Sequence, residues 1–300
     1  MKRVVGVSLG SSTRNKTVRL EVLGETLSVE RVGVDGDVHK AVSLVTELDG
    51  KVDAFGMGGI DLWIRSRKRK YILRAAVPIA NAAKQTMMVD GGGLKHILEE
   101  RLINHLDKSG IIDFKGKRAF IVSAMGHFGL ADALSHRGSE LALGDFAFAL
   151  GLPIMLRSAD ALDSVARFVA PLVCQMPFSM LYPTGKQQEE NKPKFVEWYR
   201  WADIVTGDFL FMKKHMPLDM RGKIIITNTV TSEDVAELKR RGVSLLATFT
   251  PEMDGRSFGV NVLEATLVAL SGKGKQATSQ DYEQLVARLD LRPRVERLND

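Results

Sequence analysis

The stretch that decides the fold is Ile121-Val122-Ser123-Ala124-Met125-Gly126-His127-Phe128-Gly129. An apolar run before it predicts a strand, and the spacing of apolar residues after it predicts a helix over Leu130 to Arg137. A glycine turn between a strand and a helix is typical of dinucleotide-binding domains. The turn has the pattern Ala-x-Gly-x-x-Gly, with Ala124 at the first glycine position. A strand–helix–strand unit whose turn binds nothing is the alternative.

If the turn binds a cofactor, its residues have separate roles. Gly126 would let the backbone approach a pyrophosphate, and Gly129 would allow the helix to pack closely on the strand. Asp145 closes the next predicted strand, about 20 residues after the start of the turn, where an acidic residue binds the ribose in NAD enzymes. A carboxylate there repels the 2′-phosphate of NADP, so NAD is favoured over NADP. The predicted cofactor contacts are Ser123, Ala124, Met125, Gly126, His127, Phe128, Gly129, Asp145 and Asn228.

Strands and helices alternate from Ala119 to Thr248, which predicts a mainly parallel, doubly wound sheet. The chain before Gly110 also mixes strands and helices, and two alternating runs on either side of Gly24 predict paired strands. The predicted fold class is therefore α/β, with an N-terminal α/β domain followed by a Rossmann-type domain. The predicted domains are a substrate domain over 1–112, a dinucleotide-binding domain over 113–272 and a helical tail over 273–300.

Composition excludes several classes of function. The 300 residues include 42 basic and 36 acidic residues, a net charge of +6, which suits a small anionic substrate and is too small and too spread out to indicate nucleic acid. The single cysteine, Cys174, excludes an internal disulfide or a cysteine-cluster metal site, and no metal is predicted. No apolar run reaches the roughly 18 residues of a membrane span. We therefore expect a cytoplasmic protein without membrane or nucleic-acid partners, and a homodimer is left open.

Three segments carry a resemblance to a known family. They are Val89-Asp90-Gly91-Gly92-Gly93-Leu94, Lys115-Gly116-Lys117-Arg118-Ala119-Phe120-Ile121 and Ala202-Asp203-Ile204-Val205. With the glycine turn, they resemble the shikimate and quinate 5-dehydrogenase family. The resemblance implies that Asp90 is the substrate-binding and catalytic aspartate. The family's Asn-Val-Thr-x-Pro-x-Lys motif and its NADP-reading Asn-Arg-Thr triplet are absent from this chain.

Oxidation of a secondary alcohol requires a group that accepts the hydroxyl proton. A lysine beside an aspartate can relay that proton, and Lys95 is the lysine nearest to Asp90 in sequence. Lys186, in a polar loop that could close over a ligand, is the second candidate. Asp61 follows a glycine-rich turn and is predicted to line the same cleft, with a turn cap as its alternative role. Arg256 could pair with a substrate carboxylate or form a surface salt bridge.

The resulting prediction is an NAD-dependent oxidoreductase that acts on a small hydroxy or keto acid of the quinate or shikimate type. Two alternatives share the fold. One is a dehydrogenase of a one-carbon pterin carrier, and the other is a non-catalytic nucleotide-binding sensor.

Overall fold

The structure is a computed structural model that describes residues 1–65, 69–176, 191–253, 256–257 and 259–300. Within these ranges it confirms the α/β class, with two mainly parallel sheets covered by helices. No helix in these ranges is long and apolar enough to cross a membrane.

The first 110 residues form one sheet, a small hairpin and three α-helices. The strands are β1 (Lys2–Ser8), β2 (Lys16–Val22), β3 (Glu25–Gly33), β4 (Ala54–Gly58), β5 (Trp63–Arg65), β6 (Lys70–Ile72) and β7 (Met87–Val89), and the helices are α1 (Val38–Leu48), α2 (Val77–Ala82) and α3 (Gly92–Lys108). The sheet has the order β2-β3-β1-β4-β7, and only β2 runs antiparallel to its neighbour. The predicted pairing around Gly24 is confirmed, with Val18 opposite Val29.

The rest of the chain builds a second sheet. Its elements are β8 (Arg118–Ile121), α4 (Phe128–His136), β9 (Glu140–Leu143), α5 (Asp145–Leu150), α6 (Ala159–Val173), α7 (Val196–Trp201), β10 (Ile204–Gly207), α8 (Phe209–His215), β11 (Ile224–Thr227), α9 (Ser232–Arg240), β12 (Leu245–Thr248), β13 (Glu252–Met253), β14 (Arg256–Ser257), α10 (Val260–Ser271), α11 (Ser279–Arg288) and β15 (Arg294–Arg297). The sheet has the order β15-β12-β11-β10-β8-β9, and β15 alone is antiparallel. A single antiparallel bridge joins Leu156 to Leu143 of β9.

Alternate residues of β8 face opposite sides of this sheet, as expected for a strand that is buried on both faces. Ala119 and Ile121 join a core that also contains residues of α3, α4 and α10. Phe120 joins a second core with residues of α7, α8 and α9. The sheet is therefore doubly wound, and the strand order reverses between β8 and β10. Ligands of such sheets bind in the crevice at that reversal.

Helix α10 is the main departure from the predicted organisation. The sequence predicts that the chain up to residue 272 belongs to the dinucleotide-binding domain, whereas the structure shows a twelve-residue helix packed on β1, β4 and β7 of the first sheet. Glycines make this close approach possible. A Cβ atom on Gly56 would lie 2.7 Å from the Asn261 carbonyl oxygen, and one on Gly91 would lie 2.8 Å from the Asn261 nitrogen. These glycines therefore make room for a helix.

The last 28 residues return to the second sheet. Helix α11 packs on α10 and α3. The chain then forms β15, which pairs antiparallel with β12. The tail therefore belongs to both halves of the molecule, and α3, α10 and α11 together form the layer between the two sheets.

Candidate functional site

The carboxyl ends of strands from both sheets meet at one cleft. Strands β1, β4 and β7 end at or just before Ser8, Gly58 and Asp90, and all three residues line the cleft. Across it lie Asp208 and Asn228, which follow β10 and β11. The cleft has a volume of about 140 Å³. Because the cleft lies at the carboxyl ends of parallel strands and beside the reversal of strand order, it has the usual position of an α/β ligand site.

An ion pair between Asp61 and Lys95 forms one wall of the cleft. Asp61 follows the turn after β4, and Lys95 lies in the first turn of α3; their Oδ2 and Nζ atoms are 3.1 Å apart. The side chains are only 28% and 17% exposed, respectively. Burial raises the pKa of Asp61 above its ordinary value of 3.8, although the charge of Lys95 opposes that rise. A carboxyl group whose pKa is raised beside an ammonium group is suited to proton transfer.

The same pair also borders a second pocket, of about 450 Å³, between α3 and α4. This pocket reaches Met125, Gly126 and Phe128 of the glycine turn. Asp61 and Lys95 are therefore shared by the cleft at the strand ends and the pocket beside the turn. Groups bound in the two spaces would meet at this pair.

Asp90 lines the cleft, but its carboxylate is hydrogen-bonded to the backbone. Oδ2 accepts hydrogen bonds from the N–H groups of Leu62 (2.8 Å) and Trp63 (3.2 Å), and Oδ1 accepts one from Gly92 (2.8 Å). Asp90 thus ties the segment after Asp61 to the start of α3. The sequence reasoning paired Lys95 with Asp90, whereas the carboxylate in contact with Lys95 is that of Asp61. The catalytic role of Asp90 stays a prediction.

The glycine turn lies between β8 and α4 as predicted. A Cβ atom on Gly126 would meet no atom closer than 3.9 Å, so a small side chain fits there, and the residue lines the pocket. A Cβ atom on Gly129 would lie 2.6 Å from Glu99 Oε2 and 3.3 Å from the Cα atom of His96. Gly129 therefore allows α4 to pack closely on helix α3, whereas the sequence reasoning expected packing of helix on strand.

Asp145 lies at the turn, as the first residue of α5 and not as the end of a strand. Its carboxylate accepts hydrogen bonds from the backbone N–H groups of Ala124 (3.1 Å) and Met125 (2.9 Å). Burial raises its pKa to about 6, while these hydrogen bonds act in the opposite direction. Two donors of the turn are therefore occupied by a side chain of the protein. Recognition of a ribose by Asp145 stays a prediction.

Other predicted site residues fall in different places. Asn228 lines the cleft, where its Nδ2 donates to Asp208 Oδ2 (2.9 Å) and its Oδ1 accepts from the Phe209 N–H group (3.1 Å). The backbone of Arg256 lies in β14, and its side chain is outside the described part of the chain. Lys186 also lies outside the described residues.

Three residues of the site were missed by the sequence reasoning. Arg14 and Arg31 line the cleft; Arg14 lies 3.5 Å from Asp234 Oδ2, and Arg31 donates to Ser8 Oγ (3.1 Å). No local pattern marks either arginine. Glu99 is buried and contacts His127. Glu99 could have been identified from the sequence, because it lies four residues after Lys95 and therefore on the same side of α3.

The chain belongs to a family described as "Domain of unknown function (DUF8754)", whose model matches residues 93–298. A second model, "Domain of unknown function (DUF8753)", matches residues 3–90. No curated protein matches the chain.

Similar solved structures include both sugar-binding proteins and dehydrogenases. A substrate-binding protein of a sugar ABC transport system from Bordetella parapertussis is 12% identical, with a TM-score of 0.40, over 95% of this chain and 81% of that one. The hetero-hexameric glutamate dehydrogenase from Thermus thermophilus is 11% identical, with a TM-score of 0.46, over 96% and 73%. The N5,N10-methylenetetrahydrofolate dehydrogenase-cyclohydrolase from Trypanosoma brucei is 11% identical, with a TM-score of 0.33, over 92% and 88%. At these identities and TM-scores, the similar structures do not identify the function of this chain.

Proposed function

We propose that this member of the DUF8754 family is an NAD(P)-dependent oxidoreductase that acts on a small hydroxy or keto acid. One observation carries the proposal. The partly buried Asp61–Lys95 pair separates a cleft at the strand ends from a pocket that reaches the glycine turn. An enzyme that transfers hydride needs its substrate and its cofactor in adjoining spaces, with a group that moves a proton between them.

The residues of the turn fit a dinucleotide in part. Gly126 lines the pocket between α3 and α4, and α4, a nine-residue helix, begins shortly after it with the N–H groups of Phe128 and Gly129. The first N–H groups of a helix have no partner within that helix. These groups would hold a phosphate. The N–H groups of Ala124 and Met125 would not, because Asp145 occupies them. The negative charge of Asp145 beside the turn favours NAD over NADP. When bound, the nicotinamide would accept or return a hydride.

The substrate class follows from the charges around the cleft. Three cationic side chains, Arg14, Arg31 and Lys95, line the cleft together with three carboxylates, Asp61, Asp90 and Asp208. The cationic side chains would bind a substrate carboxylate. Asn228 and Asn261 can exchange hydrogen bonds with hydroxyl groups. The Lys95 ammonium group would donate to the reacting oxygen, and Asp61 would hold that ammonium group in place. A hydroxy acid of the quinate or shikimate type carries both a carboxylate and hydroxyl groups.

A non-catalytic nucleotide or metabolite sensor is the second candidate. It is favoured by the hydrogen bonds from Ala124 and Met125 to Asp145, which leave fewer backbone donors for a pyrophosphate. A sensor would bind its ligand and show no turnover.

Thermal unfolding with NAD, with NADP and without ligand tests the proposal first. A ligand at 100 times its dissociation constant stabilises the folded state by about 2.7 kcal/mol. We expect a larger shift with NAD than with NADP, and loss of the shift in Gly126→Leu, because a side chain there would fill the space beside the turn. No shift with either nucleotide would contradict the assignment of the cofactor.

Turnover with quinate and shikimate separates the enzyme from the sensor. Lys95→Met should keep the thermal shift with NAD and lose about 100-fold in kcat, the usual contribution of a group that assists proton transfer. Lys108→Met is the matched control, because Lys108 is an exposed lysine at the other end of α3. Equal kcat values for the two variants would exclude a catalytic role for Lys95.

A further inference from the structure

A second polar pair lies beside the cleft, between Glu99 of α3 and His127 at the start of α4. The Nδ1 atom of His127 is 2.6 Å from Glu99 Oε1. The side chains are 3% exposed for His127 and 1% exposed for Glu99, so the pair is shielded from solvent. A short hydrogen bond to a buried carboxylate holds an imidazole ring in one orientation and one tautomer.

The backbone and the ring of His127 are both held in place. Its N–H group donates to the Ala124 carbonyl oxygen, and its own carbonyl oxygen accepts from Leu130, so the residue is anchored between the turn and the helix. The ring packs at an angle of 38° to that of Phe249, with the centroids 6.1 Å apart. Gly129 contributes as well, because a Cβ atom there would clash with Glu99 Oε2. The imidazole is therefore preorganised without any ligand.

His127 also lines the cleft that contains Asp61 and Lys95. With Nδ1 committed to Glu99, Nε2 is the ring nitrogen left for a ligand in the cleft. If the pair served only to join α3 to α4, its polarity would add little to the stability of the fold. Replacing a buried ion pair by apolar side chains is often neutral or stabilising.

We propose that His127 and Glu99 form an acid–base dyad, with His127 as the residue that exchanges a proton with the substrate hydroxyl group. This inference rests on the proposed function and names a catalytic residue within the same site. Glu99 is a positioning residue, because it acts through the ring of His127. In this arrangement Lys95 polarises the reacting oxygen and His127 moves the proton.

For a hydroxy acid, the O–H bond would break and its proton would pass to Nε2 of His127, while the proton on Nδ1 stays in the hydrogen bond to Glu99. The electron pair of the O–H bond would form the second carbon–oxygen bond as the C–H bond breaks. The hydride from that C–H bond would be accepted by an oxidised nicotinamide nucleotide, and the alcohol would become a ketone. In the reverse direction the imidazolium group returns its proton to the product alkoxide.

Three variants test the dyad once turnover is measured. His127→Gln should lower kcat by about 100-fold or more, since a general base contributes that much, and leave the KM for NAD within about twofold. Added imidazole should restore part of the activity of His127→Ala, which a structural defect would not allow. Glu99→Gln should also lower kcat. His215→Gln is the matched control, because His215 is also buried but lies in the other core. Unchanged kcat in His127→Gln would overturn the inference.

The tautomer of His127 can be measured without substrate or cofactor. Nitrogen NMR of histidine-labelled protein distinguishes a protonated ring nitrogen from one that carries a lone pair, and His127→Gln assigns the signals. We expect the proton on Nδ1 and the lone pair on Nε2. The reverse tautomer would overturn the dyad even if NAD binds and quinate is oxidised. The expected tautomer in a protein that ignores NAD would instead mean that the proposed function has failed.

Discussion

Glu264 provides a prediction whose magnitude follows from the structure. This residue of α10 is only 4% exposed and faces the start of α3. The backbone N–H groups of Gly91 and Gly93 and the Tyr282 hydroxyl group act on its carboxyl group in the direction of a lower pKa. Its Oε2 atom has no hydrogen-bond partner in the described part of the chain. Burial, reinforced by the negative charge of Asp90, raises the pKa of Glu264 from 4.5 to about 7.

The sign of the effect on stability follows from this rise. The folded state holds the Glu264 proton more tightly than the unfolded state does, so stability falls as pH rises from 4.5 to about 7. That interval corresponds to a loss of about 3 kcal/mol. Glu264→Gln removes the titration, but leaves a buried amide group without an acceptor, at about 1 kcal/mol. The variant should therefore be about 2 kcal/mol more stable than the wild type at pH 8, and about 1 kcal/mol less stable at pH 4.

Urea denaturation followed by tryptophan fluorescence measures the free energy of unfolding at each pH. The control is Glu283→Gln, because Glu283 is exposed on α11, next to Tyr282. Its stability relative to the wild type should not change with pH. The reasoning would be refuted if Glu264→Gln were less stable than the wild type at pH 8, or if their difference were the same at pH 4 and pH 8.

Further predictions concern packing and charge. Gly129→Ala should lower the free energy of unfolding by about 2 kcal/mol, because the new methyl group displaces Glu99. Gly126→Ala should change the free energy of unfolding by less than about 0.5 kcal/mol. Urea denaturation measures both values, and equal effects of the two substitutions would contradict the packing described. Asp234→Asn should cost about 3 kcal/mol, because it removes the carboxylate that pairs with Lys213 at 2.7 Å and lies 3.5 Å from the largely buried Arg14. Although burial opposes it, the charge of Arg14 helps to hold the pKa of Asp234 below 3.8. The difference from the wild type should therefore persist at neutral pH and disappear only below that value; a difference that vanished at pH 6 would contradict the assignment.

Part of the site could be predicted because its pattern is local. The strand β8, the turn around Gly126 and the helix α4 are adjacent in the chain, and apolar period and glycine position mark such a unit within about a dozen residues. The same holds for the hairpin around Gly24. Asp61 and Lys95 were both identified as candidates, Asp61 because it follows a strand and a glycine-rich turn, and Lys95 because it is the lysine nearest to Asp90 in sequence.

Their partners could not be predicted in the same way. Two carboxylates, Asp61 and Asp90, follow neighbouring strands of one sheet, and the sequence alone does not show which of them faces Lys95. Asp145 appears in the sequence at the position of a ribose-binding residue, yet its carboxylate turns back to the N–H groups of the glycine turn. Such choices depend on side-chain rotamers and on the distance between elements, which local patterns do not encode.

The sequence by itself determined the class of the fold, the order of its strands along the chain and the position of the glycine turn, because these follow from hydrophobic periodicity and turn chemistry within short segments. Only the tertiary structure decided that α10 crosses back to the first sheet, where Gly56 and Gly91 make room for it. It also decided that Glu99 meets His127 and that Asp61 meets Lys95. These contacts join residues 28 and 34 positions apart in the chain, so they exist only once the two sheets and the helices between them have packed.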